Sequence, residues 1–308
     1  MKVLLIDIDS TIPNLALAKC KAFHEQRGDT VSENFPLAAS SADRIYVSCV
    51  FQKNRHEAEQ YEVYPQASIG GSGYDLKSKL PPEIDAIKPR INMGFTTRGC
   101  IRKCGFCVVP EKEGNIQIVG DLLDLWDGKN KRVTIMDNNI LAVPEHFMMI
   151  CRQARENNIR IDFNQGLDHR LLTPEIVQEL AITPISAYRF AYDGLGMRKS
   201  VNRAVALLHA YGIRYAQWYV LVGYDTSMRE DVQRINHLRF LRQRAYVQRY
   251  NPEYRKYIVI ARWANQRKVS NMTLMQFMNH KAEVKYCDEW MDCYLHDIGR
   301  DVMEGPRV

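Results

Sequence analysis

The 308-residue chain lacks any apolar run near the ~20 residues that a membrane-spanning helix needs. Its opening, Met1-Lys2-Val3-Leu4-Leu5-Ile6, offers four apolar residues before Asp7, too few for the apolar region of a secretory leader. Internal repeats and low-complexity tracts are absent. With 17 glycines and 12 prolines, collagen-like and Pro/Gly-rich disordered chains are excluded. Neither sign of charge dominates, since 42 Lys and Arg stand against 36 Asp and Glu, leaving +6. These absences predict a soluble, cytoplasmic, globular protein without a membrane partner, and the length predicts about two domains.

Cysteine is also scarce for a disulfide scaffold, at eight residues. Three of the eight, Cys100, Cys104 and Cys107, fall within eight positions, while Cys20, Cys49, Cys151, Cys287 and Cys293 are scattered. Clustering of this kind in an intracellular chain points to metal ligation rather than bridges. Cys20, Cys49 and Cys151 read as buried thiols.

The hydrophobic pattern divides the chain. Residues 1–88 read as a small α/β unit, with strands at Val3–Ile8 and Ile45–Phe51. A helix at Leu15–Gln26 is stopped by Gly28. Gly70-Gly71-Ser72-Gly73 reads as a turn rather than a phosphate cradle. Over 89–265, strand-like and helix-like runs alternate. Strands are expected at Ile91–Thr97, Val133–Asp137, Ile159–Asn164, Ala187–Tyr192, Tyr215–Val222 and Tyr246–Arg249. The helices between them include Pro144–Asn157, one capped by Thr173, Met197–Tyr211 and Ser227–Gln243. Such alternation means βα units and parallel strands. Right-handed crossovers would roll them into a partial (β/α)6 TIM-like barrel with its site at the C-terminal ends of the strands. Residues 266–308 read as a helical tail.

The most informative stretch is Gly94-Phe95-Thr96-Thr97-Arg98-Gly99-Cys100-Ile101-Arg102-Lys103-Cys104-Gly105-Phe106-Cys107. Three thiolates spaced x3 and x2 after a strand suit iron–sulfur or zinc. Structural zinc wants a fourth ligand at finger-like distance, and none follows. A bacterial ferredoxin run would add a fourth Cys before Pro, where this chain has Val108-Val109-Pro110. Three ligands would leave one iron of a [4Fe–4S] cluster open, and Arg98, Arg102 and Lys103 would offset the thiolate charge.

With Phe106 before the last cysteine and the βα series following, residues 90–250 resemble the radical S-adenosylmethionine (SAM) superfamily. The resemblance implies a [4Fe–4S] cluster on Cys100, Cys104 and Cys107 that cleaves SAM reductively to methionine and a 5′-deoxyadenosyl radical. That radical would abstract hydrogen from a substrate. It further implies that Phe106 lies by the adenine and that Asp137, Asn138 and Asn139 lie near the SAM amino group. Gln165, Arg189 and Asp193 become SAM contacts, and Val222 edges the adenine through its backbone. Asp168, His169 and Arg170 become candidates to reach substrate. Tyr224 departs from the pattern, since many members carry a small residue there. An electron donor such as flavodoxin or ferredoxin is implied as a partner. The N-terminal segment resembles the Rossmann-like domain of cobalamin-dependent members but lacks the Asp-x-His-x-x-Gly pattern, so cobalamin is not expected. In its opening Pro13-Asn14-Leu15-Ala16-Leu17 and its run Asp137-Asn138-Asn139-Ile140-Leu141, the chain also resembles radical SAM proteins of bacterial mobile elements, a likeness that names no substrate.

Residues 227–268 hold 11 Lys and Arg against 3 Asp and Glu, a net +8, so the remainder sums to −2. Arg239, Arg242, Arg244, Arg249, Arg255 and Arg262 interleave there with Tyr246, Tyr250, Tyr254, Tyr257 and Trp263. The segment reads either as a solvated helix face with its aromatics in the core or as an RNA-binding strip. Small-molecule, peptide and RNA substrates therefore stay open. Two other classes do too: an iron–sulfur electron carrier using a fourth ligand such as Cys151, and a zinc-stabilised RNA-binding protein. Cys287 and Cys293 form a lone CxxxxxC pair, fewer cysteines than auxiliary-cluster domains bring.

Overall fold

A computed structural model of the chain describes residues 1–252, 254–269, 271–280 and 287–305. The protein is mixed α/β and built on parallel strands. It divides into two compact units, Met1–Lys103 with Cys107–Asp137, and Cys104–Phe106 with Asn138–Val308. The side chain of Cys287 lies outside the described residues.

In the first unit, strand β1 (Lys2–Asp7) carries the apolar run Val3–Ile6, unbroken because both faces of the strand are covered there. It sits inside a parallel sheet ordered β2 (Thr30–Glu33), β1, β3 (Arg44–Ser48), β4 (Ala67–Gly70). Leu4, Ile6, Ile45 and Val47 pack to one side. Val3, Leu5 and Tyr46 pack to the other against Leu17 and Cys20 of the helix Leu15–Gln26. Asn14 caps that helix by accepting the Leu17 N–H, and Gly28 follows its end at φ +77°. The glycine loop after β4 serves backbone contact. A Cβ at Gly71 would lie 2.2 Å from the Cys49 carbonyl oxygen, and one at Gly73 2.4 Å from the Phe51 backbone. Its glycines are therefore accounted for by a close turn.

The expected strand Ile91–Thr97 is instead two short ones. Strand β5 (Met93–Gly94) is followed by β6 (Thr97–Arg98), which pairs antiparallel with β7 (Gln117–Ile118). The break has a cause: the N–H groups of Thr96 and Thr97 turn away from the ladder to Asp137. Strand β5 itself pairs in parallel with β8 (Arg132–Ile135).

In the second unit the βα alternation runs from the helix Pro144–Glu156 through β9 (Arg160–Phe163), the helix Pro174–Ile182, β10 (Arg189–Ala191) and the helix Arg198–Ala210. It continues through β11 (Gln217–Val222), the helix Met228–Phe240, β12 (Arg244–Arg249) and the helix Lys256–Asn265. Strands β10, β11 and β12 form one parallel sheet, and single parallel bridges join Ile161 to Ile185 and Leu167 to Phe190. Thr173 caps its helix through its hydroxyl, as the sequence predicts, and Ser227, expected as the first helical residue, caps the helix Met228–Phe240 instead. The tail is helical at Leu274–Asn279, Cys287–Asp297 and Arg300–Met303. Among the described residues no helix is long and apolar enough to cross a membrane.

Candidate functional site

The cysteine loop leaves β6 through Gly99, whose φ of +80° and close surroundings admit no other residue cheaply. A Cβ there would lie 2.3 Å from the Asn115 carbonyl oxygen. Glu113 closes the loop base, accepting from the Arg98 guanidinium at 3.0 Å and from the Gly99 N–H at 3.0 Å. Burial raises the Glu113 pKa, but Arg98 and the Gly99 N–H outweigh it and hold the carboxyl below its usual range. Arg98 also lies over the Phe95 ring at 4.6 Å. Cys100, Cys104 and Cys107 are half-buried thiols, and the Arg102 N–H donates to Cys100 Sγ at 3.3 Å.

This donor set fits an iron–sulfur cluster in its chemistry: three soft ligands from one short loop, a backbone N–H on sulfur, and cationic neighbours. Among the described residues, no group of three or more His, Cys, Asp or Glu is gathered to hold a metal ion.

Asp137, at the end of β8, is buried and takes four hydrogen bonds. Thr96 donates its N–H and hydroxyl at 2.6 and 2.5 Å, and Thr97 its own at 2.9 and 2.9 Å. Burial pushes its pKa up against the pull of these donors. Asp137 thus fixes the approach to the cysteine loop, with both of its oxygens engaged.

In the second unit, several of the expected residues gather at the C-terminal ends of the strands. Buried Asn139 reaches Asp168 at 3.5 Å, and Asp168 holds Arg170 through two bonds of 2.7 and 3.1 Å. Burial lowers the Arg170 pKa, but Asp168, supported by nearby Cys104 and Asp193, raises it overall. Cys104, Arg170 and Asp193 are therefore electrostatic neighbours. Asp193 accepts the Leu221 N–H at 3.2 Å, and burial raises its pKa. Asn138 is half-buried and Gln165 is exposed after β9. Arg189 is ion-paired with buried Asp162, and Val222 is fully buried. His169 does not face outward. Its ring packs on Trp218, Nε2 meets the Ser200 hydroxyl at 2.9 Å, and burial drops its pKa to about 4.

Sequence reasoning missed the device behind these strand ends. Arg234 and Asp231, both fully buried on the helix Met228–Phe240, form an ion pair. Arg234 donates to the carbonyl oxygens of Tyr192 at 2.5 Å and Leu221 at 2.7 Å. Asp231 accepts from the Thr226 hydroxyl at 2.5 Å and the Gly223 N–H at 3.1 Å. Together they set the ends of β10 and β11, from which Asp193 and Tyr224 project. Tyr224, which departs from the family pattern in sequence, has its place explained by its contacts. Its ring meets Phe106 edge-on at 5.5 Å and Tyr250 at 4.8 Å. Its hydroxyl fills the space where a Cβ on Gly105 would go, 2.5 Å away.

The basic aromatic segment divides. Tyr257 and Trp263 belong to the core, and Arg239 is pressed against the Trp263 ring at 4.0 Å, where burial lowers its pKa to about 10. Tyr246, Tyr250 and Tyr254 stay exposed. No protein-family model matches the chain, and no curated protein is similar to it.

Proposed function

We propose that the protein is a radical SAM enzyme, cleaving SAM reductively to methionine and a 5′-deoxyadenosyl radical that abstracts hydrogen from its substrate. The observation that carries this reading is the loop of three half-buried thiols placed ahead of a series of parallel strands alternating with helices. We read that series as a partial (β/α)6 barrel. Cys100, Cys104 and Cys107 would hold a [4Fe–4S] cluster, which when bound supplies the electron for SAM cleavage.

The chain's own residues position and shield. Glu113 and Gly99 shape the loop base, and Asp137 anchors Thr96 and Thr97 ahead of it. Asn138, Asn139, Gln165 and Asp193 present polar groups at strand ends where SAM would bind, with Phe106 and the backbone of Val222 for its adenine. Arg189, paired with Asp162, acts as a positioning residue. Flavodoxin or ferredoxin would supply the electron, and cobalamin is not expected. Cys151, the fourth thiol that an electron carrier would use, is fully buried and pushed up to about 12 by desolvation.

Anaerobic reconstitution with iron and sulfide, followed by dithionite and SAM, tests the reading. About four irons per chain and release of 5′-deoxyadenosine are expected. Replacing any one of Cys100, Cys104 or Cys107 by Ala should abolish both, while Cys151→Ala should keep both. One zinc per chain, or a full cluster in the triple Cys→Ala variant, would overturn it.

A further inference from the structure

The sheet of β10, β11 and β12 has two unlike faces. Phe190, Trp218, Val220, Val222, Ala245 and Val247 share one face and are at most 4% exposed. The alternate residues on the other face, Gln217, Tyr219 and Leu221 on β11 and Tyr246 and Gln248 on β12, are half-buried or exposed. Register sets them in rows, Tyr219 beside Tyr246 and Leu221 beside Gln248. The first pair of rings meets edge-on at 5.8 Å. Past the strand ends the strip continues into Tyr224 and Tyr250, with Phe106 beyond. Tyr246, Tyr224 and Tyr250 are 37%, 42% and 50% exposed.

A packed barrel interior is filled by branched aliphatic side chains. Tyrosines and glutamines in their place make a surface rather than a core. The neighbouring cations are engaged: Arg189 by Asp162, Arg244 by the Asn265 carbonyl, and Arg249 by the Pro252 carbonyl at 2.7 Å. The Tyr219 hydroxyl is donated to the Asn164 carbonyl at 3.0 Å, so what the strip offers is ring faces, the phenol hydroxyls of Tyr246 and Tyr250, and amides that carry donor and acceptor side by side. Those are the complements of an unpaired nucleobase, stacked on its face and hydrogen-bonded on its edge. From Tyr246 to Tyr250 the strip runs roughly 13 Å at ~3.3 Å per residue, more than a single base covers. The net +8 of residues 227–268 would draw a polyanion to it.

We propose that this strip binds the unpaired bases of a single-stranded nucleic acid. The inference deepens the reading above, on which it rests, by naming the substrate class.

The test is fluorescence anisotropy with labelled 12-mers on the full chain without SAM, using single-stranded RNA, single-stranded DNA and the matching duplex. Single strands should bind at least ~10-fold more tightly than the duplex. Tyr246→Ala and Tyr250→Ala should each weaken single-strand binding roughly 5- to 150-fold, while Tyr246→Phe and Tyr250→Phe, which keep the stacking ring, should stay within about 3-fold. Equal duplex binding, or Ala variants that bind like wild type, would overturn the proposal. So would a free nucleoside that competes as well as the 12-mer, since it would point to a small-molecule site. A 4-thiouridine RNA crosslinked to the wild-type chain guards against misfolded variants. Its adduct should map to Tyr246 or Tyr250, and an adduct confined to other peptides would count against the strip. Because binding is read without SAM, its failure leaves 5′-deoxyadenosine release intact, and loss of that release leaves binding intact.

Discussion

Arg234→Met offers the sharpest test of how the strand ends are held. In the wild type, the guanidinium is fully buried, bonded to two backbone carbonyl oxygens and paired with Asp231. Methionine fills much of the volume but leaves both carbonyls without this donor. It also leaves the Asp231 carboxylate buried with neutral donors alone, among them the Thr226 hydroxyl, the Gly223 N–H and the Tyr257 hydroxyl. Removing one partner of a buried pair costs about 3–5 kcal/mol. Asp231→Asn should be costly for the converse reason, stranding the cation. The double variant, Asp231→Asn with Arg234→Met, strands neither charge, so its cost should fall short of the sum by about 2 kcal/mol. Urea unfolding followed by tryptophan fluorescence measures all three. Hydrogen exchange at Leu221 and Gly223 should quicken in the Arg234 variant, because their strand end has lost its clamp. Additive costs within about 0.5 kcal/mol, or an Arg234→Met cost under about 1 kcal/mol, would refute the account.

Other outcomes follow from the same geometry. His169 is neutral in the fold, its pKa dropped to about 4 by burial, so stability is full above about pH 6.5 and is lost as pH falls toward about 4. By pH 5 the loss through this group should be about 2 kcal/mol, and His169→Gln should remove that pH dependence in urea titrations. Asp137→Asn replaces an all-acceptor carboxylate facing four donors with a group that itself donates. It should cost about 3 kcal/mol and lower the iron content after reconstitution, as metal analysis would reveal. Gly99→Ala, strained in φ and blocked by the Asn115 carbonyl, should fail to take up iron while circular dichroism keeps its helical signal. Incubation with hydroxocobalamin should leave no tightly bound corrinoid, and stoichiometric retention would revise the N-terminal reading.

The parts of the fold that sequence made legible are those where local chemistry and tertiary packing agree. The helix Leu15–Gln26 lies where its apolar spacing and Gly28 put it, and Thr173 caps where expected. Where a long-range bond overrides local preference, the pattern misleads. Nothing in Ile91–Thr97 signals that Asp137, some forty residues on, will draw Thr96 and Thr97 out of the strand. Strand β12 begins earlier than the expected Tyr246, at Arg244, because its alternate face is exposed and so carries Arg, Tyr and Gln instead of apolar residues. The Asp231–Arg234 pair is the hardest case. At i, i+3 on a helix, oppositely charged residues usually mark a solvated face, and only burial of the entire pair distinguishes this one. His169 erred the opposite way: a histidine between Asp and Arg after a strand suggests a reactive group, yet its ring completes the packing around Trp218.

The way the tail meets the helix Met228–Phe240 bears on how the chain could be dissected. Asn236 donates to the Val302 carbonyl at 2.7 Å, Arg229 pairs with Asp301 at 2.6 Å, and Arg239 donates to the Met272 carbonyl. Tyr294, fully buried, donates its hydroxyl to the Lys256 carbonyl, and the Trp263 indole donates to that of Met272. These contacts place the described tail residues Met272, Tyr294, Asp301 and Val302 against the helices Met228–Phe240 and Lys256–Asn265, behind the clamp on β10 and β11. A truncation after Asn265 would open Trp263 to water and take from Arg239 the Met272 carbonyl, leaving it only the longer bond to the Trp263 carbonyl, while the Arg234 clamp lost its backing. Shortened chains should therefore fail cooperatively, losing β11 and β12 together with the tail rather than releasing a trimmed and intact core.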